Sequence, residues 1–211
     1  MSGSFNWHAA RVAGLAAIVG GCAAPAPQVA DWTPAPLGAT WEVAQRNTGS
    51  YGKDAQFKVT RGDTTWQGAP AITMRNSQGG AIVARPSDGK WLAILGPDGK
   101  PVMSFDPPVG WELPLHVGKS WTTRHRVTVG ATGATLDYVQ PCKVEAFEKV
   151  TVRAGTFDAF RVHCNPSSGN DDTYWSSPGL GPFVKTRLIR PPGSPSGQGT
   201  QESELVSRPS F

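Results

Sequence analysis

The chain has 211 residues, with 20 Lys+Arg against 16 Asp+Glu, 25 Gly, 19 Pro, eight Trp and three Cys. Charged residues make up 17% and hydrophobic residues 38%, which excludes both a coiled coil and a charge-rich disordered chain. The excess of basic residues is scattered, and its densest patch (Lys119, Arg124, His125, Arg126) lacks the stripe of a nucleic-acid binder, so no nucleic acid is expected as a partner.

The N-terminus carries a basic residue, Arg11, then the apolar stretch Val12 to Gly21, then Cys22. That order is the layout of a secretory signal peptide, and the stretch is too short to span a bilayer. Val19-Gly20-Gly21-Cys22 resembles a bacterial lipobox, in which the cysteine becomes the lipidated first residue of the mature protein. The resemblance implies acyl chains on Cys22 and a membrane anchor. Ala23, standing where inner-membrane lipoproteins tend to carry Asp, implies the outer membrane, with the domain facing the periplasm. The alternative is an ordinary signal peptide cut near Ala23-Ala24-Pro25, with Cys22 discarded. Residues 1–21 are thus read as signal helix and 22–37, rich in Ala and Pro, as an extended tether.

Residues 38–208 read as an all-β domain. Trp41, Val43 and Gln45 alternate with Glu42, Ala44 and Arg46, and Phe57 and Val59 with Lys58 and Thr60. Short apolar runs around Ile82, Trp91–Leu95 and Val102–Phe105 are separated by turn clusters. Two of these hold Asp-Gly pairs, Asp88-Gly89 and Asp98-Gly99, a strong hairpin signal. No amphipathic helix of ten residues or more is expected after the signal. The fold class is therefore an antiparallel meander that forms a curved sheet, a half-barrel or a barrel-like sandwich.

Longer strands follow. Trp121, Val127 and Val129 share a face, and His125, between Arg124 and Arg126, is assigned to the polar one. Cys142, Val144, Ala146, Glu148, Val150 and Val152 form one row. Phe160, Val162 and Cys164 point inward on the return strand, with Arg161 and His163 outward. Glu148 interrupts its apolar row, which marks a break or bulge.

Val150 to Phe160, with Ala154-Gly155-Thr156-Phe157 at its turn, and Trp175 to Lys185, with Pro178-Gly179-Leu180-Gly181, resemble a pair of motifs in uncharacterised periplasmic β-proteins and lipoproteins. Arg153 stands where those motifs carry Pro. The resemblance implies curved antiparallel sheets or half-barrels and leaves the activity open, with Trp175 and Phe183 capping the apolar face.

Candidate sites are few. No metal is expected, because the three histidines beyond the signal (His116, His125, His163) have no ligand spacing and Cys-x-x-Cys is missing. Asp171 and Asp172, adjacent on a strand, would point to opposite faces. No catalytic motif and no cofactor site is present, so the chain is read as non-enzymatic. Trp66, Trp91, Trp121 and Trp175 could line a face for an apolar or glycan ligand, or could simply fill a core. The leading expectation is an envelope binding or scaffolding lipoprotein held to the membrane through Cys22, with an envelope protein, lipid or glycan as partner. A carrier for an apolar or glycan ligand on the concave face is the second, and it requires a cavity of several hundred Å³.

Cys142 and Cys164 form an even pair in an oxidising compartment, where a disulfide is the default. Register opposes it. A regular hairpin centred on Gly155 pairs Val150 with Phe160 and Ala146 with Cys164, and leaves Cys142 roughly 13 Å along the strand. Closure requires the strand to break, and Glu148 is the expected place.

Overall fold

The computed structural model describes residues 32–194 and 196–210. The signal peptide, Cys22 and the first part of the tether lie outside the described residues. The described chain is all-β apart from one 3-10 turn, Gly49–Tyr51. Its strands are β1 (Thr40–Asn47), β2 (Ala55–Trp66), β3 (Ala69–Asn76), β4 (Ala81–Ala84), β5 (Trp91–Leu95) and β6 (Pro101–Val109). They continue as β7 (Ser120–Val129), β8 (Thr135–Val152), β9 (Gly155–Cys164), β10 (Asp171–Ser176), β11 (Phe183–Arg190) and β12 (Gly199–Leu205). Each strand pairs antiparallel with the next, and β1 pairs with β12, so the meander closes into a barrel. Closure removes the free edges a half-barrel would leave.

Period two places the apolar row inside. Trp41 faces Val59 and Val43 faces Phe57 across β1 and β2, and Met74, Ile82 and Ile94 continue the row across β3 to β5. Glu42, Lys58, Arg75 and Arg126 point the other way. An apolar interior and a charged exterior are the reverse of a membrane-spanning barrel.

Two departures from regular alternation shape the second half. The β8–β9 turn is the two-residue Arg153-Ala154, because Val152 pairs with Gly155 and Val150 with Phe157. The expected pairings Val150–Phe160 and Ala146–Cys164 are therefore wrong, and Ala146 faces Arg161. The bulge falls between Val144 and Ala146, at Glu145, three residues before the expected place. It absorbs one residue and so brings Cys142 directly opposite Cys164. The two cysteines form a disulfide, with Cα atoms 4.1 Å apart.

The same bulge turns the strand over. Cys142, Val144 and Phe147 share the inward row with Cys164, Val162 and Phe160, while Glu148 and Val150 share the outward row with Ala159 and Phe157. The single row expected from Cys142 to Val152 is thus two half-rows on opposite faces. The outward half-row is nonetheless buried: Val150, Val152, Phe157 and Ala159 pack in one cluster with Val184 and, partly, Trp175. The hairpin tip reaches across the outside of the wall. Arg153 Nε donates to Glu204 at 2.8 Å, Arg153 Nη1 to Gln56 at 3.4 Å, and the Ala154 amide to the Leu205 carbonyl at 3.1 Å.

The disulfide links two buried inward positions 22 residues apart in sequence. Replacing both cysteines with alanine should lower the unfolding free energy by about 3 kcal/mol on the chain-entropy relation. Urea denaturation of both proteins checks this, and thiol titration of the denatured, unreduced wild type should find neither cysteine free.

Candidate functional site

A cavity of about 510 Å³ lies inside the barrel. Trp41, Phe57, Met74, Ile82 and Ile94 line one wall, and Trp91, Phe105 and Phe183 are further lining aromatics. Gln45, Asn76 and Gln201 lie toward the end where β1 finishes, called here the far end. The opposite end, where β1 begins and which is called here the entry end, carries three pieces of chain that touch one another. Residues 32–39 form a strap whose Trp32 ring lies against Gly89 in the β4–β5 loop, and whose Ala35 lies against Gly181 in the β10–β11 loop. Both glycines have positive φ (69° and 91°), and a Cβ at Gly89 would meet the Trp32 ring at 2.5 Å. Lys90 pairs with Glu112, which ties the β4–β5 loop to the long β6–β7 loop.

That long loop, residues 110–119, fills part of the interior. Leu115 is 2% exposed and packs with Val144, Phe160 and the two bridged cysteines, with Trp111 and Trp121 beside them. Trp111 makes edge contacts with Trp121, Tyr174 and Phe183 at centroid distances of 5.4–6.0 Å. Such edge-to-face geometry is the favoured aromatic arrangement. The cavity is the space that this plug leaves over.

The four tryptophans singled out in the sequence divide. Trp91 lines the cavity, and Trp121 packs in the aromatic cluster beside it. Trp66 packs on the small outward residues Ala71, Val83 and Ala93. Trp175 also faces out: its Nε1 donates to Glu148 at 2.9 Å, and Lys185 lies 5.3 Å from the ring centroid. Trp175 and Phe183 therefore do not cap one face together, because a bulge between Trp175 and Ser176 separates them.

His125 corrects the sequence reading. It shares the inward row with Trp121 and Val127, is 8% exposed and lines the cavity. Its ring stacks on Tyr138 at 5.7 Å and meets Phe105 edge-on at 6.1 Å. Burial lowers its pKa, and its Nδ1 is buried with no hydrogen-bond partner among the described residues.

Asp171 and Asp172 do point to opposite faces. Asp171 accepts from His163 at 3.1 Å on the outer wall, where His163 also lies 3.4 Å from Glu145. This carboxylate–histidine group borders a shallow outer cleft that includes Ser120. Ser120 faces Lys143, and Lys143 faces His163, so hydroxyl and imidazole stand two strands, roughly 10 Å, apart. That separation is too long for a nucleophile–base pair. Asp172 is buried inside, its Oδ1 has no hydrogen-bond partner among the described residues, and its carboxyl is pushed up to about 7. Burial is the main cause and the Asp171 charge the second.

No family model matches the chain, and no curated protein matches it. Solved structures do. YmcC, a hypothetical lipoprotein from Escherichia coli, aligns over 82% of this chain and 88% of its own, at 10% identity and a TM-score of 0.46. A protein from Parabacteroides distasonis, provisionally named a lipoprotein, aligns over 85% and 98%, at 11% identity and 0.44. A protein of YmcC-like fold from Bacteroides fragilis, provisionally named as exported, aligns over 86% and 100%, at 15% identity and 0.46.

The raised Asp172 pKa fixes the sign of a pH effect. The unfolded chain gives up this proton near pH 4 and the folded chain near 7, so stability falls as pH rises through that window. Asp172→Asn should remove the fall. Urea unfolding at pH 5 and pH 8 should show the wild type losing on the order of 3 kcal/mol more than the variant between the two.

Proposed function

We propose that this chain is a non-enzymatic, lipid-anchored envelope protein whose barrel binds a small apolar ligand. The cavity supports this reading: about 510 Å³, walled by Trp41, Phe57, Met74, Ile82 and Ile94, with amides toward one end. Its volume falls within the roughly 300–1,000 Å³ typical of small-molecule sites, and an apolar lining with a few placed polar groups is their usual composition. The binding role and the carrier role expected from the sequence merge here, with the ligand inside the barrel. A glycan is disfavoured, because hydroxyls along such walls would lose water without gaining partners.

The anchor supports the same reading. Cys22 lies ten residues before Trp32, so acyl chains on it would hold the strap, and with it the entry end, toward the outer membrane. A lipid surface would then be both the partner of the anchor and the source of the ligand.

Two experiments test this. The soluble domain should bind an apolar fluorescent probe such as N-phenyl-1-naphthylamine at one site, and Ile94→Trp, which fills the cavity, should weaken binding at least about tenfold. Equal binding by both proteins would overturn the interior site. Separately, Cys22→Ser should move the protein from the membrane fraction to the soluble periplasmic fraction, and the mature wild type should carry acyl mass on its N-terminus. An unmodified N-terminus beyond residue 22 would refute the anchor.

A further inference from the structure

Among the described residues that line the cavity, two carry a buried polar atom without a partner, Trp32 at Nε1 and His125 at Nδ1, and only the imidazole can accept a hydrogen bond as well as donate one. His125 is 8% exposed and lines the cavity, and no described residue hydrogen-bonds its Nδ1. Its two aromatic neighbours hold the ring by its face and edge and offer Nδ1 nothing. A buried polar group without a partner costs free energy, and an apolar residue of the same shape would be nearly neutral or stabilising. The pair of arginines flanking His125 is no reason for it either, because Arg124 and Arg126 sit on the opposite face of β7.

The charged residues that border the cavity are already matched. Asp88 pairs with Arg85, Glu204 with Arg153, and Lys185 lies over Trp175. Arg61, the inward cation of β2, is held by Asp63 at 2.6 Å. Among the described residues that line the cavity, the one Lys or Arg, Lys185, sends its ammonium toward the outward Trp175 ring rather than into the space, and burial disfavours the charged imidazolium.

Resting on the interior site proposed above, we infer that the ligand is a single-chain amphiphile with an uncharged hydrogen-bonding head, and that His125 is the residue that binds that head. The acyl chain lies against Trp41, Phe57, Met74 and Ile94, and a hydroxyl or ester group of the head meets the imidazole of His125 where it lines the cavity. Gln140, which lines the same cavity two residue pairs along the β7–β8 ladder, is a second partner for it. Monoacylglycerols and long-chain alcohols fit this description, while anionic phospholipids do not.

The test compares wild type with His125→Phe, which keeps the aromatic contacts with Tyr138 and Phe105 and removes the ring nitrogens. Monoolein, oleate, lyso-phosphatidylglycerol and N-phenyl-1-naphthylamine are titrated against both. Wild type should prefer monoolein to the two anionic lipids, and His125→Phe should weaken monoolein about 3- to 10-fold while leaving the naphthylamine probe unchanged. The ligand-free variant should melt at the same or a higher temperature than wild type. Unchanged monoolein affinity in the variant, or tighter binding of the anionic lipids by wild type, would overturn the assignment. So would a lower melting temperature in the ligand-free variant, which would make His125 a structural residue. Failure of every probe to bind either protein would instead overturn the interior site itself.

Discussion

The pairing of β1 with β12 sets the amount of space that the rest of the molecule must manage. Barrel width grows with strand number, and about eight strands is the size that wall side chains alone can fill. Twelve strands enclose more than Val, Ile and Phe on the inner rows can occupy. The chain meets the surplus in two ways. It turns the 110–119 loop inward, where Leu115 and Trp111 build a packed half, and it leaves the other half as the cavity. The strap of residues 32–39 is seated at the entry end on Gly89 and Gly181.

The bridge between Cys142 and Cys164 belongs to the packed half. It lies between β8 and β9, beside Val144, Val162 and Leu115, and its formation depends on one extra residue at Glu145. That residue also reverses the faces of β8, so one strand contributes to two cores: the Leu115 core below the bulge and, above it, the core that Val150 and Val152 share with Trp41, Val59 and Leu205. Glu145 itself stays outside, where it meets Arg161 and His163. A single bulge thus sets the disulfide, the outer arm and the charge ladder of the outer wall together.

Much of the wall was legible in the sequence because strand faces and tight turns are local. Trp41, Val43, Phe57 and Val59 show their face by alternation, and Asp88-Gly89 and Asp98-Gly99 mark the turns they occupy. His125 shows how composition can mislead: its arginine neighbours suggest a wet face, yet the same alternation that turns them out must turn it in. The bulge at Glu145 was half legible, since a break was required for the disulfide, but the turn at Arg153-Ala154 shifts every pairing and so moves the place. Closure was not legible. It rests on β1 meeting β12 across more than 150 residues, and no local pattern separates a closed barrel from a curved sheet. The cavity follows from closure and was beyond reach for the same reason.

The central claim is that the surplus interior is a ligand site, and the protein as its own envelope loads it is the most direct witness. Native mass spectrometry of the full-length mature protein, released from its membrane in a mild detergent, should show one non-covalent adduct of single-chain lipid mass per barrel, lost on collisional heating. Only the bare protein mass, under conditions that preserve a known lipid complex run alongside, would contradict the account.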